Sequence, residues 1–82
     1  MDSCTGKVVI TFHSHYDATR QKRRLSQHGV SCALIPVPRA LSSSCGTALM
    51  LDAEDYSDSL LIDGVEGAYE NMEGKWSDLL IR

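Results

Sequence analysis

Residues 7–17, KVVITFHSHYD, predict a β-strand that leads directly into an α-helix. Residues 7–13 are rich in β-branched side chains, which is typical of a strand. Alternation along this strand places three apolar residues on one face: Val8, Ile10 and Phe12. Ser14 and Asp17 have the spacing of a helix capping box, so the helix is expected to start there. It is expected to end at Gly29, where a left-handed residue is favoured.

The rest of the chain predicts three more strands and one more helix. The strands are expected at 30–35, 47–51 and 75–81. The second helix is expected after Asp52, because four apolar residues then recur at helical intervals: Leu61, Val65, Ala68 and Met72. Gly64 and Gly67 lie inside this segment and weaken a helix, so a break there is allowed.

The order β-α-β-β-α-β predicts a ferredoxin-like fold of the α+β class, formed by residues 1–82 as a single domain. In that fold a four-stranded antiparallel sheet has both helices on one face. Its first and third strands are neighbours. We therefore expect His13 and Ser14 to lie close to Cys45 and Gly46, although they are about thirty residues apart.

Length and composition place limits on the class of protein. The chain has 82 residues, 43% of them hydrophobic, and no apolar run of the ~20 residues that a membrane-spanning helix needs. The first residues lack the pattern of a signal peptide, so a cytoplasmic location is expected. The three cysteines, Cys4, Cys32 and Cys45, form no CxxC pair and are expected to be free thiols.

Charge is distributed unevenly along the chain. Residues 1–50 have a net charge of +4 and residues 51–82 a net charge of −7, which gives −3 for the whole protein. The basic residues cluster in the first helix: Arg20, Lys22, Arg23 and Arg24. The overall acidity argues against a nucleic-acid partner. The cluster is interpreted as a solvated helix face, with a docking patch as the alternative.

Cys45 is the strongest candidate for chemistry. It follows a stretch stiffened by Pro36 and Pro38, with the cation of Arg39 and three serines before it and Gly46 after it. A polar turn with a cation nearby favours the reactive thiolate, and a neighbouring helix N-terminus would do the same. The alternatives are structural: Cys45 as a small packing residue, Arg39 as a cap of nearby carbonyls, and the serines as turn residues.

Three segments resemble a family of short bacterial proteins described as selenium/sulfur carrier-like. They are Thr11-Phe12-x-Ser14, the LIPVPR of residues 34–39 and the SSSCG of residues 42–46. The resemblance implies a role in sulfur or selenium handling, with Cys45 as the atom-bearing residue and a donor or acceptor protein as partner. Seven residues around Cys45 in the predicted fold and loop are expected to have a binding role: Thr11, His13, Ser14, Arg39, Ser43, Ser44 and Gly46. His15-Tyr16 stands where the family pattern suggests Thr-His.

Other functions are less well supported by the residues. His13 and His15 could join Cys45 in a zinc site, but no fourth ligand is evident, so neither a metal nor a cofactor is expected. No complete catalytic constellation occurs, which favours a thiol carrier over a turnover enzyme. The rival is a non-catalytic interaction or regulatory module that binds a small anion or a partner protein through the loop 36–46.

The sheet face away from the helices is expected to be apolar. Alternation assigns seven residues to it: Val9, Thr11, His13, Ala48, Met50, Trp76 and Leu80. Apolar faces of this kind are typical of partner surfaces, so a homodimer packed sheet to sheet is predicted.

Overall fold

A computed structural model of the chain describes residues 6–41 and 45–80. These residues form one α-helix, α1, and a five-stranded sheet with strand order β2-β3-β1-β4-β5, in which every neighbouring pair is antiparallel. The bounds are β1 Lys7–Phe12, α1 His15–Gln27, β2 Cys32–Pro36, β3 Thr47–Asp52, β4 Val65–Met72 and β5 Lys75–Asp78. Two short 3₁₀ turns, Ala53–Asp55 and Asp58–Leu60, lie between β3 and β4.

The elements predicted for the first part of the chain are confirmed. Ser14 is the N-cap of α1, and its Oγ accepts a hydrogen bond from the Asp17 backbone N–H at 3.2 Å. The helix ends at His28, and Gly29 has the expected positive φ of 78°. β1 and β3 are neighbours, with Thr11 opposite Ala48. The start of α1 and the start of β3 therefore lie at the same end of the sheet.

The ferredoxin-like fold is wrong, because the second predicted helix is a strand. β4 takes the place beside β1, and only one helix packs on the sheet in the described residues. The pairing of β1 with β4 shifts between Gly67, opposite Thr11, and Val65, opposite Phe12. This irregularity lets Val65 and Ala68, three residues apart, both face the core. The bulge therefore produces in a strand the spacing that indicated a helix.

The glycines in this segment permit close packing rather than a broken helix. A Cβ at Gly64 would collide with the Asp17 carboxylate, and one at Gly67 would lie 2.6 Å from the Tyr69 hydroxyl oxygen. β4 then turns back into β5 through Glu73 and Gly74, whose φ angles of 56° and 86° suit a tight hairpin. The predicted strand at 75–81 is thus a four-residue edge strand of that hairpin.

The core lies between α1 and one face of the sheet. Its buried residues are Val8, Ile10, Phe12, Ala18, Leu25, Leu49, Leu51, Val65 and Ala68. Burying these side chains against one another supplies the main apolar stabilisation of the fold. None of the helices in the described residues has the length and apolar character needed to cross a bilayer.

The opposite sheet face is less exposed than expected. Val9, Thr11 and Ala48 are fully buried there although no described helix covers them. Strand pairing surrounds them with larger residues, such as Met50 and Tyr69 on either side of Val9. Of the other residues assigned to this face, Trp76 is half-buried and His13 is exposed, whereas Leu80 packs against the core instead.

A buried amide attaches the irregular segment before β4 to the helix. The Gln21 side chain is fully buried; its Nε2 donates to the Leu60 carbonyl at 2.9 Å, and its Oε1 accepts from the Ile62 N–H at 2.8 Å. Arg24 Nε donates to the same Leu60 carbonyl at 2.9 Å. The Leu60 carbonyl and the Ile62 N–H, which belong to no strand or α-helix, are thereby hydrogen-bonded to α1.

Replacing Gln21 by Ala should lower the free energy of unfolding by about 2–3 kcal/mol, because the Ile62 N–H loses its partner and a buried gap remains. Urea unfolding followed by circular dichroism measures this loss. Gln27→Ala, which removes an exposed glutamine from the same helix, is the matched control and should change stability by less than about 0.5 kcal/mol. Equal effects of the two substitutions would contradict this role for Gln21.

Candidate functional site

The loop that contains Cys45 connects β2 to β3. Its base is closed by a hydrogen bond of 3.2 Å from the Val37 N–H to the Gly46 carbonyl, and a turn is closed by one of 3.0 Å from the Leu41 N–H to the Pro38 carbonyl. Gly46 has a φ of 72°, which a residue with a side chain adopts only with strain. A glycine directly after Cys45 therefore sets how the chain enters β3.

Cys45 is half-buried at the edge of the core. The residue packs against the core cluster, and its Sγ donates a hydrogen bond to the Thr47 carbonyl at 3.4 Å. Only the protonated thiol can donate this bond. Any reaction of the Cys45 sulfur would therefore require that this hydrogen bond be broken.

Thr47 links the cysteine loop to the start of the helix. Its Oγ1 lies 3.3 Å from Nδ1 of His15, while its carbonyl accepts from Cys45. His15 is the first residue of α1, directly after the cap Ser14. Thr47 is not among the site residues predicted from the sequence. The sequence could have pointed to Thr47. Pairing of the first and third strands places Thr47, the residue after Cys45-Gly46, beside the end of β1.

The helix N-terminus is partly neutralised by its own residues. Asp17 lies in the first turn of α1, where a carboxylate interacts favourably with the positive end of the helix dipole. Ser14 Oγ is 3.0 Å from Asp17 Oδ2, and Arg20 is 3.1 Å from Asp17 Oδ1. The positive end of the helix dipole would therefore interact both with the Asp17 carboxylate and with a negative charge at Cys45.

The other predicted site residues occupy different surroundings. Thr11 is buried on the sheet face away from the helix, and its Oγ1 donates to the Gly67 carbonyl at 3.3 Å. The exposed His13 has its Nδ1 3.8 Å from a Glu66 carboxylate oxygen. Arg39 is exposed in the turn of the cysteine loop. The predictions for Ser43 and Ser44 lie outside the described residues.

The described residues, 6–41 and 45–80, form no cluster of side chains that could bind a metal ion. These ranges contain no group of three His, Cys, Asp or Glu side chains that could hold an ion. His13 is directed to Glu66 and His15 to Thr47, so the two histidines have different neighbours.

Cys32 differs from Cys45 in both position and chemistry. It lies at the start of β2 opposite Leu51, whereas Cys45 precedes Thr47, which is opposite Pro36 at the other end of that strand pair. Four strand residues span roughly 13 Å, which is too far for a disulfide between the two cysteines. Burial raises the pKa of the Cys32 thiol, and the nearby Lys22 lowers it in part. A raised pKa lowers the fraction of the Cys32 side chain that is thiolate at a given pH.

Comparison with known proteins identifies the family. The family model described as "Putative Se/S carrier protein-like" matches residues 7–62, which is more than half of the chain and includes both Cys32 and Cys45. No curated protein and no solved structure matches the chain. The match ends at Ile62, where the Gln21 side chain holds the backbone, and does not include β4 and β5. The chain belongs to this Se/S carrier protein-like family.

Proposed function

We propose that the protein carries a sulfur or selenium atom on Cys45 and passes it to another protein. The family match supports the general role. The choice of Cys45 depends on how the two cysteines in the matched region differ. Burial raises the pKa of Cys32, whereas Cys45 lies in a loop beside the start of α1. A carrier thiol has to meet a donor and then an acceptor, which a loop position allows.

The loading step is a thiolate exchange. The Cys45 thiolate attacks the outer sulfur of a donor persulfide, a new S–S bond forms on Cys45, and the donor's S–S bond breaks. The donor thiolate leaves with the electron pair, so no external oxidant is needed. If the donor carries selenium, the Cys45 thiolate attacks the terminal selenium atom in the same way, and the product on Cys45 is a selenosulfide.

Surrounding groups are proposed to stabilise the charged persulfide. Arg39 supplies a cation on the loop, and the loop N–H groups around Ser43, Ser44 and Gly46 supply donors. His15, held beside Thr47, adds a polar ring at the helix start. Such a small protein shields the bound atom only modestly from water, so direct handover to an acceptor protein is part of the proposal.

Unloading requires a thiol from outside the described residues. Cys32 is too distant to attack a persulfide on Cys45, so no internal disulfide between these two residues competes with transfer. For the two cysteines of the described residues, this favours a carrier that returns to its free thiol over an oxidoreductase that ends with a Cys32–Cys45 disulfide. A reducing compartment such as the cytoplasm suits this cycle, because Cys45 must be free before each loading.

Incubation with sodium tetrasulfide at pH 7 should load Cys45 preferentially. Peptide mass spectrometry after trapping with iodoacetamide should show the added sulfur on Cys45 at least about tenfold more often than on Cys32, because a thiol with a raised pKa has less of the reactive thiolate at this pH. Cys45→Ser should leave only the weak loading of Cys32 in residues 7–62, and the matched variant Cys32→Ser should retain the loading of Cys45.

Equal loading of the two cysteines, or loading of Cys32 alone, would contradict the proposed role of Cys45. The rival function is a module that binds a small anion or a partner protein through the loop 36–46 without sulfur chemistry. That module would tolerate Cys45→Ser with its binding intact and would show no loading in the wild-type protein.

The alkylation rate of Cys32 should rise only at higher pH than that of an unperturbed thiol. Burial disfavours the thiolate, so the folded protein keeps Cys32 protonated at pH values where the unfolded chain begins to ionise it. Removing the nearby cation by Lys22→Ala should move the profile further upward. Iodoacetamide labelling against pH measures both effects, and a downward shift in the variant would overturn the assignment of causes.

We further propose that the sheet face away from α1 pairs with a second copy of the chain. The half-buried Met50 and Trp76 on this face support the proposal, although the buried centre of the face leaves less apolar surface than expected. Sedimentation velocity at about 50 μM should show a dimer, and Trp76→Lys should shift it to monomer by placing a charge in the interface. A wild-type monomer at this concentration would refute the dimer.

A further inference from the structure

A shallow groove with a basic rim runs along α1 on the side of the 60–63 segment. It has a volume of about 310 Å³. Six residues line it: Tyr16, Arg20, Arg23, Arg24, Gln27 and Ile62. The five from the helix recur at three- and four-residue intervals, so they form one continuous stripe. Three residues of the stripe belong to the basic cluster of α1, and the proposed carrier chemistry uses none of them: Arg20, Arg23 and Arg24.

Contacts within the protein hold two of the three guanidinium groups in place. Arg20 lies between Asp17 at 3.1 Å and Asp63 at 3.8 Å, with its guanidinium 5.8 Å from the centre of the Tyr16 ring. Arg24 uses its Nε to reach the Leu60 carbonyl. A guanidinium has five N–H donors, so both residues keep donors for another ligand. Pre-positioned arginines lose little side-chain entropy when they bind a carboxylate.

The groove also offers apolar surface. The Tyr16 side chain is 70% exposed, and Ile62 is half-buried between the helix and the solvent. Tyrosine and arginine together are enriched in protein interfaces, where the ring supplies area and the guanidinium supplies directed hydrogen bonds. The exposed Tyr16 ring beneath Arg20 gives this face an apolar contact surface in addition to its charge.

The length of the stripe indicates an extended ligand. Tyr16 and Gln27 are eleven residues apart, which is about 16 Å along a helix. A single phosphate or sulfate would contact only part of that distance. A peptide in extended conformation covers it with about five residues.

We propose that this groove docks an extended acidic segment of the protein that donates sulfur or selenium to Cys45 or accepts it. Arginine side chains along the rim match carboxylates in charge and in geometry. The N-terminal end of the groove is Tyr16, the neighbour of His15, which is linked through Thr47 to the cysteine loop. A partner held in the groove would thus have one end at the helix terminus whose first residue, His15, contacts Thr47 after the cysteine loop. This assignment of the partner rests on the proposed function.

A titration of the ¹⁵N-labelled protein with hexaglutamate at low salt tests the groove directly. Amide shifts should concentrate at residues 16–27 and 60–63, and they should weaken as salt is raised. Arg23→Glu should weaken binding by about fivefold or more, because it reverses a charge on the rim without removing an intramolecular contact of the described structure. Lys75→Glu makes the same charge change at an exposed position on β5 and should alter binding by less than about twofold.

Three results would overturn the docking proposal: shifts scattered over the whole surface, equal weakening by Lys75→Glu, or the same shifts with inorganic phosphate at equal concentration. The last would indicate a simple anion site. Two crossed measurements separate this proposal from the carrier function. Cys45→Ser should still bind hexaglutamate, and Arg23→Glu should still load sulfur from tetrasulfide. If the wild-type protein binds hexaglutamate but is not loaded by tetrasulfide, only the carrier function is refuted.

Discussion

The buried amide of Gln21 is the interaction on which the second half of the structure depends. Its two hydrogen bonds hold the backbone at Leu60 and Ile62 against α1, so the chain enters β4 at a fixed position. Gly64 can then lie against Asp17, and β4 pairs with the free edge of β1. The same link places Ile62 in the basic groove. A side chain of the helix therefore holds the segment that leads into β4 and contributes to the shape of one surface.

The cysteine site depends on short-range polar contacts more than on the helix dipole. Thr47 contacts both Cys45 and His15, and it does so because β3 starts where α1 starts. Asp17 already occupies the favourable position for a negative charge in the first helical turn. The hydrogen bond from the Cys45 thiol to the Thr47 carbonyl is one of the contacts that hold the sulfur at this place.

Much of the first part of the fold follows from local signals. Ser14 and Gly29 bound the helix, β-branched residues form β1, and pairing of β1 with β3 brings the cysteine loop to the helix start. The strand at 65–72 could not be predicted in this way. Its bulge places Val65 and Ala68 on one face at a spacing that a helix also has. Periodicity reports which residues share a face and not which backbone conformation put them there.

The amino-acid sequence by itself determined the strand and helix at 7–27, the family and the choice of Cys45 as candidate, because these depend on residue types at short spacing. Only the tertiary structure decided that β4 replaces a helix, that Gln21 holds the segment before it, and that Thr47 joins the site. It also separated Thr11 from the cysteine loop by burying it on the other sheet face. These features depend on contacts between residues about 30 to 60 positions apart, and no local pattern encodes such pairings.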